Sequence, residues 1–354
     1  ADLTHHLAIF SLIAGDSPGL LLVDDPDNPA SAMAITGARV YLAGDTDNGA
    51  FNQGIGEFVI NEFIPMSQAA QQDAFVLYYA PNAWAAQRDI LFPGLFPVAD
   101  ERLNFVITEQ KHPDWREMLP EDIEIVAVHH IINSDRTHIE RLRHAIRSEY
   151  PSITDFLGQG FGYCAIKDDD LLGWCLSEYN LPERCEIGIE VLEAYQQSNI
   201  STALCAAAIE HALSNEIQQI GAHIWAHDTA ALMTLQQLTD TPPQTEAVYV
   251  AYFNGALNLA IMGNRHYTEG EPDAALRFLE RSMAQGNAPE WAYYLAGCCY
   301  ALTDKPDKAL HYLNTAVDKG WTHMRQTLTD PALTDLKTHP GWRDLLSKLA
   351  LVQE

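Results

Sequence analysis

The segment from Arg184 to Leu204 constrains the fold more than any other part of this 354-residue chain. Cys185–Val191 alternates with the two-residue period of a strand, and the alanine-rich stretch Thr202–Leu213 has the spacing of an amphipathic helix. A polar loop joins them. Unpaired backbone N–H groups and the dipole at a helix N-terminus favour an anion. The segment therefore predicts an anion cradle beside an acidic strand, which suits a phosphate-bearing cofactor and a cationic second substrate.

The residues around this segment predict a mixed sheet with helices packed on it, an α/β (α+β) fold. Between residues 160 and 253 the predicted order is strand, strand, strand, helix, strand, helix, strand, at 162–167, 171–178, 185–191, 202–213, 220–226, 229–238 and 247–253. The N-terminal half is less regular. Strands are predicted there at 20–24, 38–42, 75–79 and 122–129, and a helix at 136–147.

The charge balance narrows the classes of partner. The chain has 48 acidic and 21 basic residues and a formal charge of −27, which argues against nucleic acid and against anionic membranes. It favours a small cationic amine or peptide, although the same charge also serves simple solubility. Residues 1–15 lack a signal-like leader, and no apolar run is long enough to span a bilayer.

The cysteine and histidine patterns predict a reduced, metal-free protein. The six cysteines form no C-x-x-C pair, which argues against a disulfide framework or a zinc site and indicates a cytoplasmic location. The adjacent pairs His5-His6 and His129-His130 are expected to diverge, because neighbouring side chains on a regular element point apart. No metal is therefore predicted.

The C-terminal part repeats itself with a period of 34 residues, as in Gly263 and Gly297, Ala275 and Ala309, and Leu279 and Leu313. This period resembles that of tetratricopeptide repeats. The resemblance covers about residues 257–350 and implies an all-α block. It implies that Tyr293 and Tyr300 are packed inside, and that a protein partner could bind to the block.

A second resemblance covers about residues 10–253. It is carried by Phe161–Cys164, Gly173–Tyr179, Arg184–Glu190, Tyr195 and Trp225, and in the N-terminal half by Leu22–Asp25, Tyr41–Gly44 and Pro81–Trp84. These residues resemble the GNAT acyltransferases, in particular the branch of the zwittermicin self-resistance acetyltransferases. The resemblance implies acetyl-CoA as donor, an amine as acceptor, and a role in antibiotic self-resistance or tailoring. The predicted division is then 1–130, an N-terminal α/β half, 131–254, an acetyl-CoA-binding domain, and 255–354, the helical repeats.

The same resemblance implies where acetyl-CoA binds. The backbone of Ile189 and Val191 would pair with the pantetheine arm, and the start of the last helix would contribute Asp228. The diphosphate would lie on the loop and helix start formed by Gln196, Gln197, Ser198, Asn199, Ile200, Ser201 and Thr202. Asn199 and Ser201 stand where the family has glycine or alanine, and Leu235 stands where many members have a tyrosine that protonates the thiolate.

The catalytic candidates are Glu186 and Glu190, which lie four residues apart and so share one face of a strand. One of them would deprotonate the ammonium, because only a free amine attacks a thioester. Ser177, Glu178 and Tyr179 would bind the substrate. The alternative is a solvated strand face with ordinary ion pairs. In that case the chain is a non-catalytic protein of the same fold, whose repeats bind a partner.

Overall fold

The computed structural model describes residues 3–195 and 199–352. The described part of the chain contains eleven strands. They are β1 (Leu20–Val23), β2 (Ser31–Thr36), β3 (Arg39–Gly44), β4 (Ala74–Ala80), β5 (Val98–Ile107), β6 (Glu124–Ala127), β7 (Gly162–Lys167), β8 (Asp170–Leu181), β9 (Arg184–Val191), β10 (Gln219–Trp225) and β11 (Gln244–Tyr252).

The α-helices, in chain order, are α1 (Leu7–Ala14), α2 (Gly49–Phe58), α3 (Ile64–Ala69), α4 (Arg88–Leu91), α5 (Val128–Ile131), α6 (Ile139–Glu149), α7 (Ile153–Gln159), α8 (Ile200–Ser214), α9 (Thr229–Leu238), α10 (Gly255–Thr268), α11 (Pro272–Ala284), α12 (Glu290–Leu302), α13 (Pro306–Asp318), α14 (Met324–Thr329) and α15 (Trp342–Leu351). A π-helical turn at Val59–Phe63 joins α2 to α3.

The chain divides into two compact units. The first consists of Ala1–Asn48, Val76–Trp84 and Ala99–Val248, and the second of Gly49–Phe75, Ala85–Val98 and Tyr249–Glu354. Each unit is therefore assembled from distant parts of the sequence. The predicted boundaries at residues 130 and 254 stay a prediction.

The first unit is built on the sheet, whose strand order is β1-β2-β3-β4-β11-β5-β10-β9-β8-β7-β6. The alanine-rich helix α8 lies in the main hydrophobic core of this unit, where Ala203, Ala206, Ala207 and Ala208 are almost completely buried. Small side chains let the helix backbone approach the strands closely. The strand–strand–strand–helix–strand–helix–strand order predicted for residues 160–253 is confirmed, with ends that shift by up to three residues.

The N-terminal half differs more from the prediction. The strand expected at 122–129 ends at Ala127, and the following residues form α5. Strands β2 and β5 and helices α1 and α2 have no counterpart in the predictions. Strand β5 reads Val-Ala-Asp-Glu-Arg-Leu-Asn-Phe-Val-Ile, and its three charged residues hide its strand character. Its place between β11 and β10 is set by pairing with distant strands.

The second unit contains two helical hairpins that repeat each other. A Cβ atom added to Gly263 would lie 2.7 Å from Leu279 Cγ, and one added to Gly297 would lie 2.6 Å from Leu313 Cγ. The same glycine–leucine contact thus recurs after 34 residues. Glycine is needed at both positions because the paired helices approach closely, which is the physical basis of the sequence repeat.

The aromatic residues of α12 depart from the expectation. Tyr294, and not Tyr293, is buried: it stacks on Trp321 with ring centroids 4.1 Å apart, and its hydroxyl donates to Asp330 at 2.9 Å. Tyr300 is buried as predicted. Tyr293 is half-buried and packs against the same core, so the prediction is met only in part. A repeat position specifies a helix face only approximately, and here Trp321 and Asp330 cover the neighbouring ring.

All six cysteines are buried thiols without a disulfide. Within the described residues, no helix combines the length and the apolar character that crossing a membrane would require.

Candidate active site

Strands β9 and β10 separate in the middle of the first unit. Their parallel pairing runs from Arg184 opposite Gln219 to Glu186 opposite Gly221 in the described residues. Beyond that point β9 continues to Val191 along β8, while β10 continues to Trp225 along β5. The two strands therefore diverge, and their backbones border an opening. An extended ligand such as a pantetheine arm can bind along such a strand edge.

A cavity of about 420 Å³ lies at this divergence. Its walls are the second half of β9, the end of β10, and the first turns of α8 and α9. The residues that carry charge, a ring or a hydroxyl there are Arg39, Arg102, Glu178, Glu186, Glu190, Ser201, His223, Trp225, Asp228 and Thr234. The cavity size fits a small-molecule site with a few polar groups in apolar walls.

Glu186 is the buried carboxyl of this cavity, with only 6% of the residue exposed. The backbone N–H of Leu7 donates a hydrogen bond to its Oε1 at 2.5 Å. Gly221, opposite on β10, makes room for it, because a Cβ there would lie 3.2 Å from Glu186 Cγ. Burial raises the pKa of Glu186 to about 7, against the opposing effects of the Leu7 hydrogen bond and of Arg39. A carboxyl with this pKa can accept and release a proton near neutral pH.

Glu178 is held by Arg39, which comes from β3. One guanidinium nitrogen donates to Glu178 Oε2 at 2.7 Å, and the other donates to Glu149 and to the hydroxyl of Tyr179 at 2.9 Å. The pairing between β8 and β9 is irregular at Glu178, and such a bulge redirects a side chain. Gly188 provides the space, because a Cβ there would lie 1.8 Å from Glu178 Oε1.

Glu190 lies nearer the solvent than Glu186. Its side chain is 42% exposed and forms an ion pair with Arg141 of α6. Both carboxyls line the cavity, as their spacing on one strand face predicts, but their environments differ. Glu186 is buried beside a backbone N–H, whereas Glu190 is partly solvated and paired with an arginine.

Ser177 and Tyr179 are both buried. The Ser177 hydroxyl accepts from the backbone N–H of Phe161 at 2.9 Å. The Tyr179 hydroxyl donates to Glu149, which also binds Arg39. In the described part of the chain neither residue lines the large cavity. Ser177 therefore helps to position β8, and Tyr179 helps to position Arg39, the arginine that binds Glu178.

The predicted cofactor residues lie along one side of the cavity. Ile189, Val191, Ser201 and Asp228 line it. Asn199 is the N-cap of α8, with φ of −68°, so it does not use the left-handed conformation. Asp228 caps α9 and accepts from the backbone N–H of Ala231 at 2.9 Å.

The other predicted cofactor residues are less directly placed. Ile200 and Thr202 belong to the first turn of α8 and are buried. Gln196, Gln197 and Ser198 lie outside the described residues. The walls that are described thus fit the pantetheine part of a CoA ester, beside the N-terminus of a 15-residue helix.

Several cavity residues had no predicted role, among them Arg102, His223 and Trp225. Arg102 lies over the Trp225 ring, 4.5 Å from its centroid, and donates to the backbone carbonyl of His223 at 2.7 Å. Burial and the neighbouring His6 and Arg102 hold the pKa of His223 well below its ordinary value, so the ring is neutral. Because side chains alternate along a strand, His223 and Trp225 lie on the same face of β10 as Gly221, which is opposite Glu186. This alternation was visible in the sequence and could have identified both residues.

Leucine stands at the position on α9 where many GNAT acyltransferases carry a tyrosine. Leu235 of α9 lines the cavity and is 3% exposed. No tyrosine lines the cavity within residues 3–195 and 199–352.

Comparison with solved structures shows a shared fold. A GCN5-related N-acetyltransferase-like protein from Streptococcus suis has 16% sequence identity and a TM-score of 0.54, with 71% of this chain and 94% of that chain covered. A GCN5-related N-acetyltransferase from Kribbella flavida has 13% identity and a TM-score of 0.45, with 71% and 95% covered. At this identity the first likeness extends to the fold and not to a substrate. No curated protein sequence matches the chain.

The family assignment rests on the sequence profile. The profile of the family described as GNAT acetyltransferase matches residues 3–220, which is more than half of the chain. The chain therefore belongs to the GNAT acetyltransferase family.

Proposed function

We propose that this protein is an N-acetyltransferase that moves the acetyl group of acetyl-CoA to an amine of a small cationic molecule or peptide. The observation that carries the proposal is a buried carboxyl, Glu186, in a cavity opened by two diverging strands. The family supplies the donor, since GNAT acetyltransferases use acetyl-CoA. The pantetheine arm lies along Ile189 and Val191, and the diphosphate lies at the loop and the first turn of α8.

Glu186 is the general base in this proposal. The acceptor arrives as an ammonium ion, and a carboxylate with a pKa of about 7 removes its proton directly or through one water. The free amine then attacks the thioester carbon, the C–S bond breaks, and the nitrogen loses a second proton as the amide forms. Of the two protons that leave the nitrogen, one ends on the CoA sulfur and the other passes to solvent water. Because no tyrosine lines the described cavity, the proton reaches the thiolate from water or from protonated Glu186.

Glu190 attracts the acceptor rather than the proton. It lies partly exposed in the wall of the cavity, in a chain with a net charge of −27. Both Glu190 and Glu178 are paired with an arginine, but the side chain of Glu178 is 22% exposed against 42% for Glu190, so Glu190 is the more accessible carboxylate. The acceptor therefore has one ammonium near Glu186 and gains from a further cationic group toward Glu190. A self-resistance or tailoring enzyme of the cytoplasm fits this chemistry.

The alternative is a protein of the same fold that has lost CoA chemistry and binds a partner through its helical hairpins. It is favoured by Asn199 and Ser201 in the loop and by Leu235 in place of a tyrosine. It also draws support from the two helical hairpins, in which the same glycine–leucine contact recurs after 34 residues. The two proposals differ in whether acetyl-CoA binds.

Thermal shift with acetyl-CoA, free CoA and buffer separates them. Ligand at about 100 times its Kd stabilises a protein by about 2.7 kcal/mol, so the enzyme proposal predicts a clear rise in Tm. Asn199→Ile should abolish the rise, because a branched side chain crowds the diphosphate at the N-terminus of α8. Asn215→Ile, at the other end of the same helix, is the matched control and should keep the rise. A wild-type chain whose Tm does not move at millimolar acetyl-CoA would support the partner-binding alternative.

A further inference from the structure

Two adjacent histidines from the N-terminus meet a glutamate from β11 beside the active-site cavity. His6 Nε2 lies 3.0 Å from Glu246 Oε1, and His5 Nε2 lies 3.3 Å from Glu246 Oε2. The two imidazole ring centroids are 4.1 Å apart. The expectation that neighbouring histidines diverge was wrong for this pair, since both rings reach the same carboxylate, and also for His129 and His130, whose ring centroids lie 3.9 Å apart.

The surroundings hold this cluster in place. His6 is 1% exposed, and the side chain of Glu246 is 16% exposed. Asn104 of β5 donates its Nδ2 to Glu246 Oε2 at 3.0 Å, so the carboxylate is oriented by a neighbour outside the cluster. Asn104 is itself 5% exposed, and its Oδ1 has no hydrogen-bond partner in the described residues. A buried, unpartnered amide oxygen of this kind needs an explanation.

The geometry points to a zinc-binding site, which we propose is formed by His5, His6 and Glu246. Two imidazole nitrogens and one carboxylate oxygen lie within 4.8 Å of one another. Tetrahedral zinc with bonds of about 2.0–2.1 Å places neighbouring ligand atoms about 3.3 Å apart. The observed separations of 3.0 and 3.3 Å between nitrogen and oxygen therefore need only small side-chain shifts.

The remaining coordination position belongs to water. A cavity of about 40 Å³, lined by His5, Asn104 and His223 among others, adjoins the cluster. A cavity needs only about 10–15 Å³ to hold a water molecule. Asn104 Oδ1 would accept a hydrogen bond from that water, which would satisfy the unpartnered oxygen. Two histidines and one glutamate with an open position is a donor set that zinc takes in proteins.

The site has a structural consequence for the cavity. His6 is followed by Leu7, whose N–H donates to Glu186. Zinc would anchor this segment through the side chains of His5 and His6, and would so hold the Leu7 N–H that donates to Glu186. This consequence rests on the proposed function, whereas zinc binding itself does not.

The test is calorimetric titration of the full, untagged chain with Zn²⁺ after treatment with a chelator, followed by Co²⁺ and its visible absorption. The expected result is one Zn²⁺ per chain with a Kd in the micromolar range or below, and a tetrahedral Co²⁺ spectrum. His6→Ala and Glu246→Gln should abolish both signals. Asn104→Leu should weaken Zn²⁺ binding about 10–100-fold, as substitutions of residues that hydrogen-bond to a metal ligand do.

Controls within the chain make the test decisive. His129 and His130 have ring centroids 3.9 Å apart but are exposed, and they belong to no metal-ligand group in the described residues. His130→Ala should leave binding unchanged. His266, Glu269 and Glu271 form a cluster whose two carboxylates are exposed, so His266→Ala tests adventitious binding. If His6→Ala fails to fold, His5→Ala, at a side chain 30% exposed, makes the same prediction. Absence of binding at millimolar Zn²⁺, or binding lost in His266→Ala and kept in His5→Ala, would overturn the proposal.

Discussion

The replacement Glu186→Gln tests the central assignment, because stability and activity should move in opposite directions. Burial raises the pKa of Glu186 from its ordinary value of 4.5 to about 7. Each pKa unit corresponds to about 1.36 kcal/mol, so the carboxylate form costs the folded protein about 3 kcal/mol at alkaline pH. Glutamine keeps an oxygen for the Leu7 N–H and carries no charge, which removes this cost.

The sign follows from the two protonation states. Below the unfolded-state pKa the carboxyl is protonated in both the folded and the unfolded chain, so its full contribution to stability is present. That contribution is lost as the pH rises from about 4.5 through about 7, because the unfolded chain ionises first. Glu186→Gln should therefore match the wild type at about pH 4.5 and exceed its Tm by about 5 °C at about pH 8.5.

Activity should behave in the opposite way. The wild-type kcat/KM for amine acetylation should rise with pH through about 7. Glu186→Gln should lower kcat/KM by about two to four orders of magnitude and remove its rise with pH near 7. Acetyl-CoA should still raise the Tm of the variant. Glu190→Gln is the matched control on the same strand face and should change mainly KM. A Glu186→Gln variant with wild-type kcat, or one destabilised equally at both pH values, would refute the reasoning.

Two further predictions concern glycines whose Cβ would collide with a neighbour. In Gly188→Ala the new methyl must displace the Glu178 carboxylate from Arg39, since it would lie 1.8 Å from Glu178 Oε1. Steady-state kinetics should show kcat/KM lowered by about 10-fold. Unchanged kinetics would mean that Glu178 is not part of the site. Gly297→Ala should lower the free energy of unfolding by about 1–3 kcal/mol through overpacking. Gly54→Ala, a helical glycine with nothing within 4 Å of its Cβ, should be neutral or stabilising by up to about 1 kcal/mol. Equal urea midpoints for Gly297→Ala and Gly54→Ala would contradict the packing argument.

Local periodicity was enough for the elements around the site. The strands at 162–167 and 184–191 and the helix at 229–238 follow from alternation and helical spacing alone, because their inward faces are apolar over several residues. Strand β5 was not predicted. Its charged residues obscure its alternation, and its position between β11 and β10 follows from pairing with strands more than 100 residues away in sequence.

The sequence alone determined that Glu186 and Glu190 share one face of a strand and that a helix N-terminus follows them. It did not determine which carboxyl is buried. The N-terminal segment covers Glu186 and contributes the Leu7 N–H, while Arg141 from α6 forms an ion pair with the partly exposed Glu190. Burial and charge partners come from residues far apart in the chain. Spacing fixes only the direction of a side chain, so the pKa that makes Glu186 a base is decided by the tertiary structure.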